Sequence, residues 1–131
     1  MLLTPEVRRI AVARLRDAKV LLEAKRYDGA VYLCGYAVEL ALKARICKTL
    51  KWKGYPETKG EFDRLASFKV HDLDVLLRLT GREAIVRAGF LAEWSAVAGW
   101  NPEARYKIIG SANAQDANSM LESASVLLKK L

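Results

Sequence analysis

The sequence predicts an all-α protein, an antiparallel bundle of four to five helices. Apolar residues recur at spacings of three and four in several segments, and no segment alternates apolar and polar residues at period two. The clearest segment, Tyr27–Leu50, is apolar on nearly all sides and carries one charged residue, Glu39, between Ala30 and Leu42. We expect this segment to be the central helix, with neighbours on several sides.

The first predicted helix begins with Thr4 as its N-cap and Pro5 in the first helical position, and it ends near Lys25. Its apolar residues recur at helical spacing and form the predicted buried stripe: Val7, Ala11, Leu15, Ala18 and Leu22. Asp28 is the predicted N-cap of the central helix. The short connection between these two helices predicts an antiparallel hairpin.

Residues 51–70 are rich in Lys, Gly, Pro and Glu and show no lasting periodicity, so we expect a variable loop. Its large apolar side chains are expected to pack back onto the core: Trp52, Tyr55 and, on one helical turn, Phe62, Leu65 and Phe68.

Three helices are predicted after this loop. Their bounds are Asp72 to Gly81, with Asp72 as N-cap, about Arg82 to Trp94, and Ser111 or Asn113 to Lys130. The fourth helix has an apolar face that we expect to be buried: Ala84, Ile85, Ala88, Leu91 and Ala92.

The 131 residues suit a single domain, residues 1–131, with 52% hydrophobic residues for a core of its own. The net charge of +7 and the pI near 9.6 favour an anionic partner such as nucleic acid or a nucleotide phosphate, but a merely solvated basic surface fits them equally well. No apolar run approaches the ~20 residues of a membrane span, and no signal pattern begins the sequence. We therefore expect a cytoplasmic protein without membrane contact.

The two cysteines, Cys34 and Cys47, both fall on the predicted central helix, about 20 Å apart along its axis. This separation excludes a disulfide within the chain, so we expect free buried thiols in a reducing compartment. With a single histidine and no cysteine cluster, we expect no metal site and no cofactor.

Three parts of the sequence are distinctive as motifs: ARLRDAKVLLEAKRYDGAVYLCGYAVELALKARI, FKVHDLDVLL and the late WNPEARY, residues 100–106. Together they resemble the HEPN domain, the small helical bundle named for higher eukaryotes and prokaryotes nucleotide-binding. The resemblance covers nearly the whole chain. It implies a bundle of four or five helices, usually a homodimer through the central helices, that in prokaryotes often works with a minimal nucleotidyltransferase.

Many members of the HEPN family are metal-independent ribonucleases in which an arginine is followed, about four to six residues later, by a histidine. Arginine can hold the scissile phosphate, and histidine can take the proton of the ribose 2′-hydroxyl. No histidine follows Arg105 here. The single histidine, His71, comes seven positions after Arg64, so Arg64 and His71 are the candidate catalytic pair. Alternatively, His71 enters a helix and its ring bonds backbone or a carboxylate.

Four residues are candidates for binding a nucleotide or RNA: Glu39, Lys43, Arg105 and Tyr106. Arg105 offers a guanidinium to phosphate, and Tyr106 offers an aromatic face or hydroxyl to a base or ribose. Alternatively, Tyr106 and Trp100 are core aromatics and Arg105 pairs with Glu39 or Glu103. Glu39 and Lys43 have the i, i+4 spacing of a helical ion pair, and a carboxylate among apolar residues needs such a partner. Glu39 is therefore a structural anchor or a ligand contact. We expect Glu39 and Lys43 to face Arg105 and Tyr106.

The predicted function is that of a helical partner of a minimal nucleotidyltransferase, in a toxin–antitoxin-like pair, with nucleotide or RNA binding. Two alternatives stay open. One is an active metal-independent ribonuclease toxin, using Arg64 and His71 or a set around Arg105, and the other is a purely structural dimerisation module. The missing late histidine favours a protein that is not an enzyme. The all-round apolarity of Tyr27–Leu50 predicts a homodimer seam on the central helix.

Overall fold

Six helices account for most of the chain. The computed structural model describes residues 1–131, and its helices are α1 (Thr4–Glu23), α2 (Tyr27–Leu50), α3 (Leu73–Leu79), α4 (Glu83–Gly89), α5 (Leu91–Val97) and α6 (Ala114–Lys130). Two 3₁₀ turns, Ala66–Phe68 and Pro102–Tyr106, lie in the connections. The all-α prediction is confirmed, with more helices than the four to five expected.

Two short strands form an element that the sequence did not predict. β1 (Leu2–Leu3) pairs antiparallel with β2 (Gly54–Tyr55). Thr4, the predicted N-cap of α1, is the first residue of this helix, and its hydroxyl donates to the carbonyl oxygens of Trp52 (3.3 Å) and Lys53 (3.0 Å). The hydroxyl therefore does not cap the helix; it holds the start of α1 against the segment that follows α2.

α2 lies at the centre of the fold, packed against α1, α6 and α3. Between residues 34 and 47 most of its side chains are buried within the single chain. Residues 31–33 stay partly exposed near its start, and residues 48–50 are exposed at its end. The all-round apolarity of α2 is thus accounted for inside one chain. It does not by itself require a dimer seam on this helix, and the homodimer stays a prediction.

The predicted fourth helix is broken into α4 and α5 at Phe90, which has non-helical backbone angles (φ −137°, ψ 35°). The face expected to be buried is instead exposed: Ala84, Ile85, Ala88, Leu91 and Ala92. Ile85 is 53% and Leu91 is 56% exposed. The buried residues of these helices are Val86, Trp94 and Val97. Because a buried tryptophan removes more apolar area from water than alanines do, Trp94 decides which side turns inward, and its Nε1 donates to Asp74 (3.0 Å).

Residues 51–70 contain an aromatic cluster rather than long regular structure. Trp52 packs edge-on against Phe68, with ring centroids 4.8 Å apart, and Tyr55 packs in the same way against Phe62 at 6.4 Å. The Tyr55 hydroxyl donates to the carbonyl oxygen of Phe68 (2.5 Å). All four rings contact the core, as the sequence predicts.

Helices α3 and α6 are capped by the side chains that the sequence identifies. Asp72 accepts a hydrogen bond from the backbone N–H of Val75 (3.1 Å). Asn113 and Asp116 accept from each other's backbone N–H groups (2.8 and 3.4 Å), which is a capping box. Each cap satisfies a donor that the first turn of a helix would otherwise leave unpaired.

Trp100 packs directly on α2 at Gly35, and 8% of its surface is exposed. A Cβ atom at position 35 would lie 2.2 Å from three atoms of the indole ring, which is too close for any side chain. Gly29, also on α2, is different, because a Cβ atom there would meet the flexible end of Leu21 at 3.1 Å. Glycine is therefore required at position 35 by the close approach of Trp100.

We expect Gly35→Ala to displace Trp100 and to lower the free energy of unfolding by about 1–3 kcal/mol, the usual cost of overpacking a core. Gly29→Ala is the matched control. It should be neutral or stabilising, since alanine favours a helix interior over glycine by about 1 kcal/mol. Urea unfolding of both variants measures the difference, and an equal effect in both would contradict the close packing.

Candidate functional site

A cleft of about 720 Å³ lies beside Trp100, at the end of the bundle where α2 begins. Its walls come from the start of α2, the end of α5, the turn Pro102–Tyr106, the loop of residues 107–113 and the start of α6. Its polar and aromatic lining includes Asp28, Tyr32, Trp100, Arg105, Lys107 and Asp116. Small-molecule sites commonly have volumes of about 300–1,000 Å³, so this concavity is large enough for a nucleotide-sized ligand.

Arg105 lies in this cleft among aromatic rings. Its guanidinium carbon is 4.8 Å from the ring centroid of Tyr106. Hydrogen bonding to Tyr106, and then to Tyr32, raises the pKa of Arg105. Tyr32 in turn packs against Trp100, with ring centroids 6.0 Å apart. Tyr106 is 71% exposed, so the alternative in which it is a core aromatic is wrong. The same alternative is confirmed for Trp100, which is 8% exposed and belongs to the core.

Two cations and two carboxylates line the cleft: Arg105 and Lys107, and Asp28 and Asp116. Neither Arg105 nor Lys107 forms an ion pair, so the alternative pairing of Arg105 with a glutamate is also wrong. Asp28 does not cap α2 as predicted; its carboxylate accepts hydrogen bonds from the backbone N–H groups of Gly110 (2.6 Å) and Ala112 (2.9 Å). These two bonds lower the pKa of Asp28. The carboxylate is thereby used to hold the loop beside Arg105.

Glu39 and Lys43 belong to a second polar group, further along α2. Glu39 is 2% exposed, and its Oε2 accepts a hydrogen bond from Lys43 Nζ (3.2 Å), as the i, i+4 spacing predicts. Its Oε1 forms a hydrogen bond with His71 Nδ1 (3.0 Å). The sequence predicted that the His71 ring could bond a carboxylate but did not identify which one. The His71 side chain is 61% exposed, so the rest of its imidazole is open to solvent.

The two groups lie on one side of α2 without touching directly. No hydrogen bond or ion pair joins Glu39 to Arg105, contrary to the facing arrangement that we expected. Tyr32 and Glu39 are seven positions apart, which is two helical turns, about 10 Å along the same side of the helix. Tyr36 lies between them: its ring stacks on Tyr32 (6.5 Å, 4° between planes), and burial, followed by the charge of Glu39, raises its pKa. We call residues 32, 36, 39 and 43 the polar stripe of α2.

Arg64 does not join either group. It lies in the turn before Ala66–Phe68 with a left-handed backbone (φ 64°), and its side chain is exposed. No hydrogen bond or ion pair connects it to His71. The sequence spacing that made Arg64 and His71 a candidate catalytic pair is therefore not matched by a contact in the fold.

The sequence interpretation missed Tyr32 and Tyr36, which connect the two groups. A signal was present, because residues 32, 36, 39 and 43 recur at helical spacings of four, three and four and carry polar atoms in an otherwise apolar helix. The role of Asp28 left no such signal, since its partners are backbone N–H groups more than eighty positions away.

The cysteines do not supply a nucleophile. Both are free and buried, as predicted. Burial raises the pKa of the Cys34 thiol to about 12 and raises that of Cys47 as well, so both stay protonated at neutral pH. No group of three His, Cys, Asp or Glu side chains is arranged to hold a metal ion.

The chain is a helical bundle with a cleft lined by aromatic rings and by two cations that form no ion pair. The chain belongs to the HEPN domain family, whose sequence model matches residues 4–131, all six helices included. This membership supports a role directed at nucleotides or RNA, through binding or through ribonuclease-like chemistry. No curated protein and no solved structure matches the chain significantly. None of its helices is both long and apolar enough to span a membrane.

Proposed function

We propose that this HEPN protein binds a nucleotide or RNA in the cleft without cleaving it. The observation that carries the proposal is the position of Arg105, a cation without a carboxylate partner that lies beside Tyr106 and Tyr32. The guanidinium can hold a phosphate through paired hydrogen bonds, and the exposed ring of Tyr106 offers a face on which a base can stack. Lys107 adds a second positive charge for the phosphate.

We further propose that the protein works as the helical partner of a minimal nucleotidyltransferase, in a toxin–antitoxin-like pair, and that it is a homodimer. Both proposals follow from what is usual for HEPN proteins. They gain support from the exposed apolar side of α4 and α5, which includes Ile85 and Leu91. Exposed apolar patches commonly mark sites that another protein covers, and each of these two side chains is more than half exposed.

Arg105→Gln should weaken binding of a fluorescein-labelled single-stranded RNA about tenfold or more, because a charge-assisted hydrogen bond to phosphate is worth about 1.5–3 kcal/mol. Fluorescence anisotropy at fixed salt measures the affinity. Arg16→Gln is the matched control, since Arg16 is an exposed arginine on α1 without an ion pair, and its loss should change the affinity by about twofold or less. Equal effects of the two substitutions would contradict binding in the cleft.

If neither RNA nor a nucleotide shifts the melting temperature, the purely structural module becomes the better account.

A second candidate, the metal-independent ribonuclease, is favoured by one observation. Buried Glu39 holds His71 by Nδ1 and leaves the imidazole exposed, which is the arrangement of a general base oriented by a carboxylate. His71 lies on the same side of α2 as Arg105, but Glu39 and Tyr32, which hold them, are about 10 Å apart. We infer from this spacing that the two groups would contact different parts of a bound strand, so we favour binding over cleavage.

Incubation of labelled RNA with the purified protein in chelator separates the two candidates. We expect no cleavage by the unmodified protein. Cleavage that is lost in both His71→Ala and Arg105→Gln, and kept in Arg64→Ala, would establish the ribonuclease and refute the non-cleaving proposal. Cleavage that persists in all three variants would come from a contaminating nuclease.

The homodimer seam is expected on α4 and α5 rather than on α2. Ile85→Asp combined with Leu91→Asp should convert a dimer, at twice the chain mass of 14.6 kDa, into a monomer, because two charges would be buried in the seam. Val20→Asp is the control, since Val20 is 62% exposed on α1. Light scattering coupled to size exclusion measures the mass. A double variant that stays dimeric would exclude this face.

A further inference from the structure

The imidazole of His71 is joined to the cleft through side chains of the polar stripe of α2. Tyr32 lines the cleft, and its ring stacks on that of Tyr36, with centroids 6.5 Å apart. Tyr36 lies about one turn before Glu39, whose Oε1 forms a hydrogen bond with His71 Nδ1 (3.0 Å). A strand that leaves the cleft along this side of the helix would therefore reach His71.

The side chains along this path are accessible to a ligand. Tyr32, Tyr36 and Lys43 are each partly exposed, and the His71 side chain is 61% exposed. Aromatic rings in a row beside cations are typical of surfaces that bind a single strand, because every base has a face that can stack. The stripe and the cleft together therefore have the features of a surface for a strand, longer than a site for one nucleotide.

Glu39 fixes which nitrogen of His71 carries the proton. Its carboxylate also accepts a hydrogen bond from Lys43 Nζ (3.2 Å), and a carboxylate paired with an ammonium has no proton to donate. In the hydrogen bond between Glu39 and His71, Nδ1 is therefore the donor. The neutral ring then has its lone pair on Nε2. No hydrogen bond within the chain engages Nε2, so this nitrogen is an acceptor that a ligand can use.

We propose that His71 distinguishes RNA from DNA by accepting, at Nε2, a hydrogen bond from a ribose 2′-hydroxyl. The proposal rests on the binding of RNA in the cleft, and it extends the ligand from a single nucleotide to a strand that continues along the polar stripe. A lone pair selects a donor, and the 2′-hydroxyl is a donor that DNA lacks. Phosphate oxygens only accept, so a neutral His71 does not bind them.

Two labelled single strands of one sequence, about ten nucleotides long, test the proposal: RNA and its 2′-fluoro analogue. Fluorine is close to a hydroxyl in size but cannot donate a hydrogen bond, and the bases are the same in both strands. At alkaline pH, where imidazole rings are neutral, the unmodified protein should bind RNA about three- to tenfold more tightly, the usual worth of one neutral hydrogen bond. Fluorescence anisotropy measures both affinities. Equal affinities would overturn the proposal.

His71→Asn removes the acceptor and keeps the contact with Glu39, because the asparagine amide can donate to the carboxylate but does not extend to the position of Nε2. This variant should bind RNA as weakly as the fluorinated strand, and its affinity for the fluorinated strand should not change. Arg16→Gln, the matched control, should keep the preference for RNA. A preference that survives in His71→Asn would overturn the proposal.

Failure of the cleft proposal gives a different result. Arg105→Gln should weaken the binding of both strands and leave their ratio unchanged. If it weakens neither strand, the cleft proposal is wrong, whatever the ratio. If it weakens both but the unmodified protein shows no preference, the cleft proposal holds and the role of His71 is wrong.

Nitrogen-15 NMR tests the orientation of the ring without RNA. His71 is the chain's single histidine, so the imidazole signals belong to it. For the neutral ring we expect the proton on Nδ1, and a proton on Nε2 would overturn the proposal. Glu39→Gln, which provides an amide that can donate to Nδ1, should increase the form protonated at Nε2 and reduce the preference for RNA. Glu39 is thus a positioning residue.

The RNA should be recovered intact after each binding measurement in chelator. RNA that is cut by the unmodified protein and left intact by His71→Asn would overturn the proposal. In that case His71 would remove the proton of the 2′-hydroxyl as a general base instead of accepting a hydrogen bond from it.

Discussion

The buried carboxylate of Glu39 is the constraint on which much of the structure depends. Taking a carboxylate out of water is costly unless donors surround it. α2 supplies one donor, Lys43, through helical spacing, but the second oxygen bonds His71, thirty-two positions away. This bond joins the entry to α3 to the central helix. It also makes one side of α2 polar, and the cleft lies further along the same side, at Tyr32.

The fold could be predicted from the sequence wherever neighbouring residues decide it. Asp72 and Asn113 are recognisable caps, and the bounds of α2 follow from its composition. The break at Phe90 and the choice of which side of α4 and α5 is buried could not be predicted. Apolar residues recur at helical spacing both on the alanine-rich side and on the side that carries Trp94. Only packing against the rest of the chain selects between them. The strands also gave no signal, since two residues are too few to show alternation.

In the candidate site, the sequence predicted the important residues more reliably than it predicted which of them lie next to one another in the fold. The burial of Glu39 and its pairing with Lys43 follow from one charge on an apolar helix. Arg105 and Tyr32 line the same cleft because of the path of a loop, which the whole fold determines. The spacing of Arg64 and His71 suggested a pair, but a left-handed turn at Arg64 intervenes and His71 bonds elsewhere. Proximity in sequence is therefore a reliable guide within helices and a poor one across turns.

The position of Trp100 gives the protein an internal optical reporter. Of the three tryptophans, Trp52 lies in the aromatic cluster and Trp94 is buried and hydrogen-bonded, so Trp100 is the one that lines the cleft. Its indole Nε1 has no hydrogen-bond partner, and indole emission is sensitive to polarity and to hydrogen bonding. Emission from a chain that keeps this tryptophan alone would follow occupancy of the cleft without an attached label. Because the ring rests directly on Gly35, the same signal would also follow any movement of the central helix.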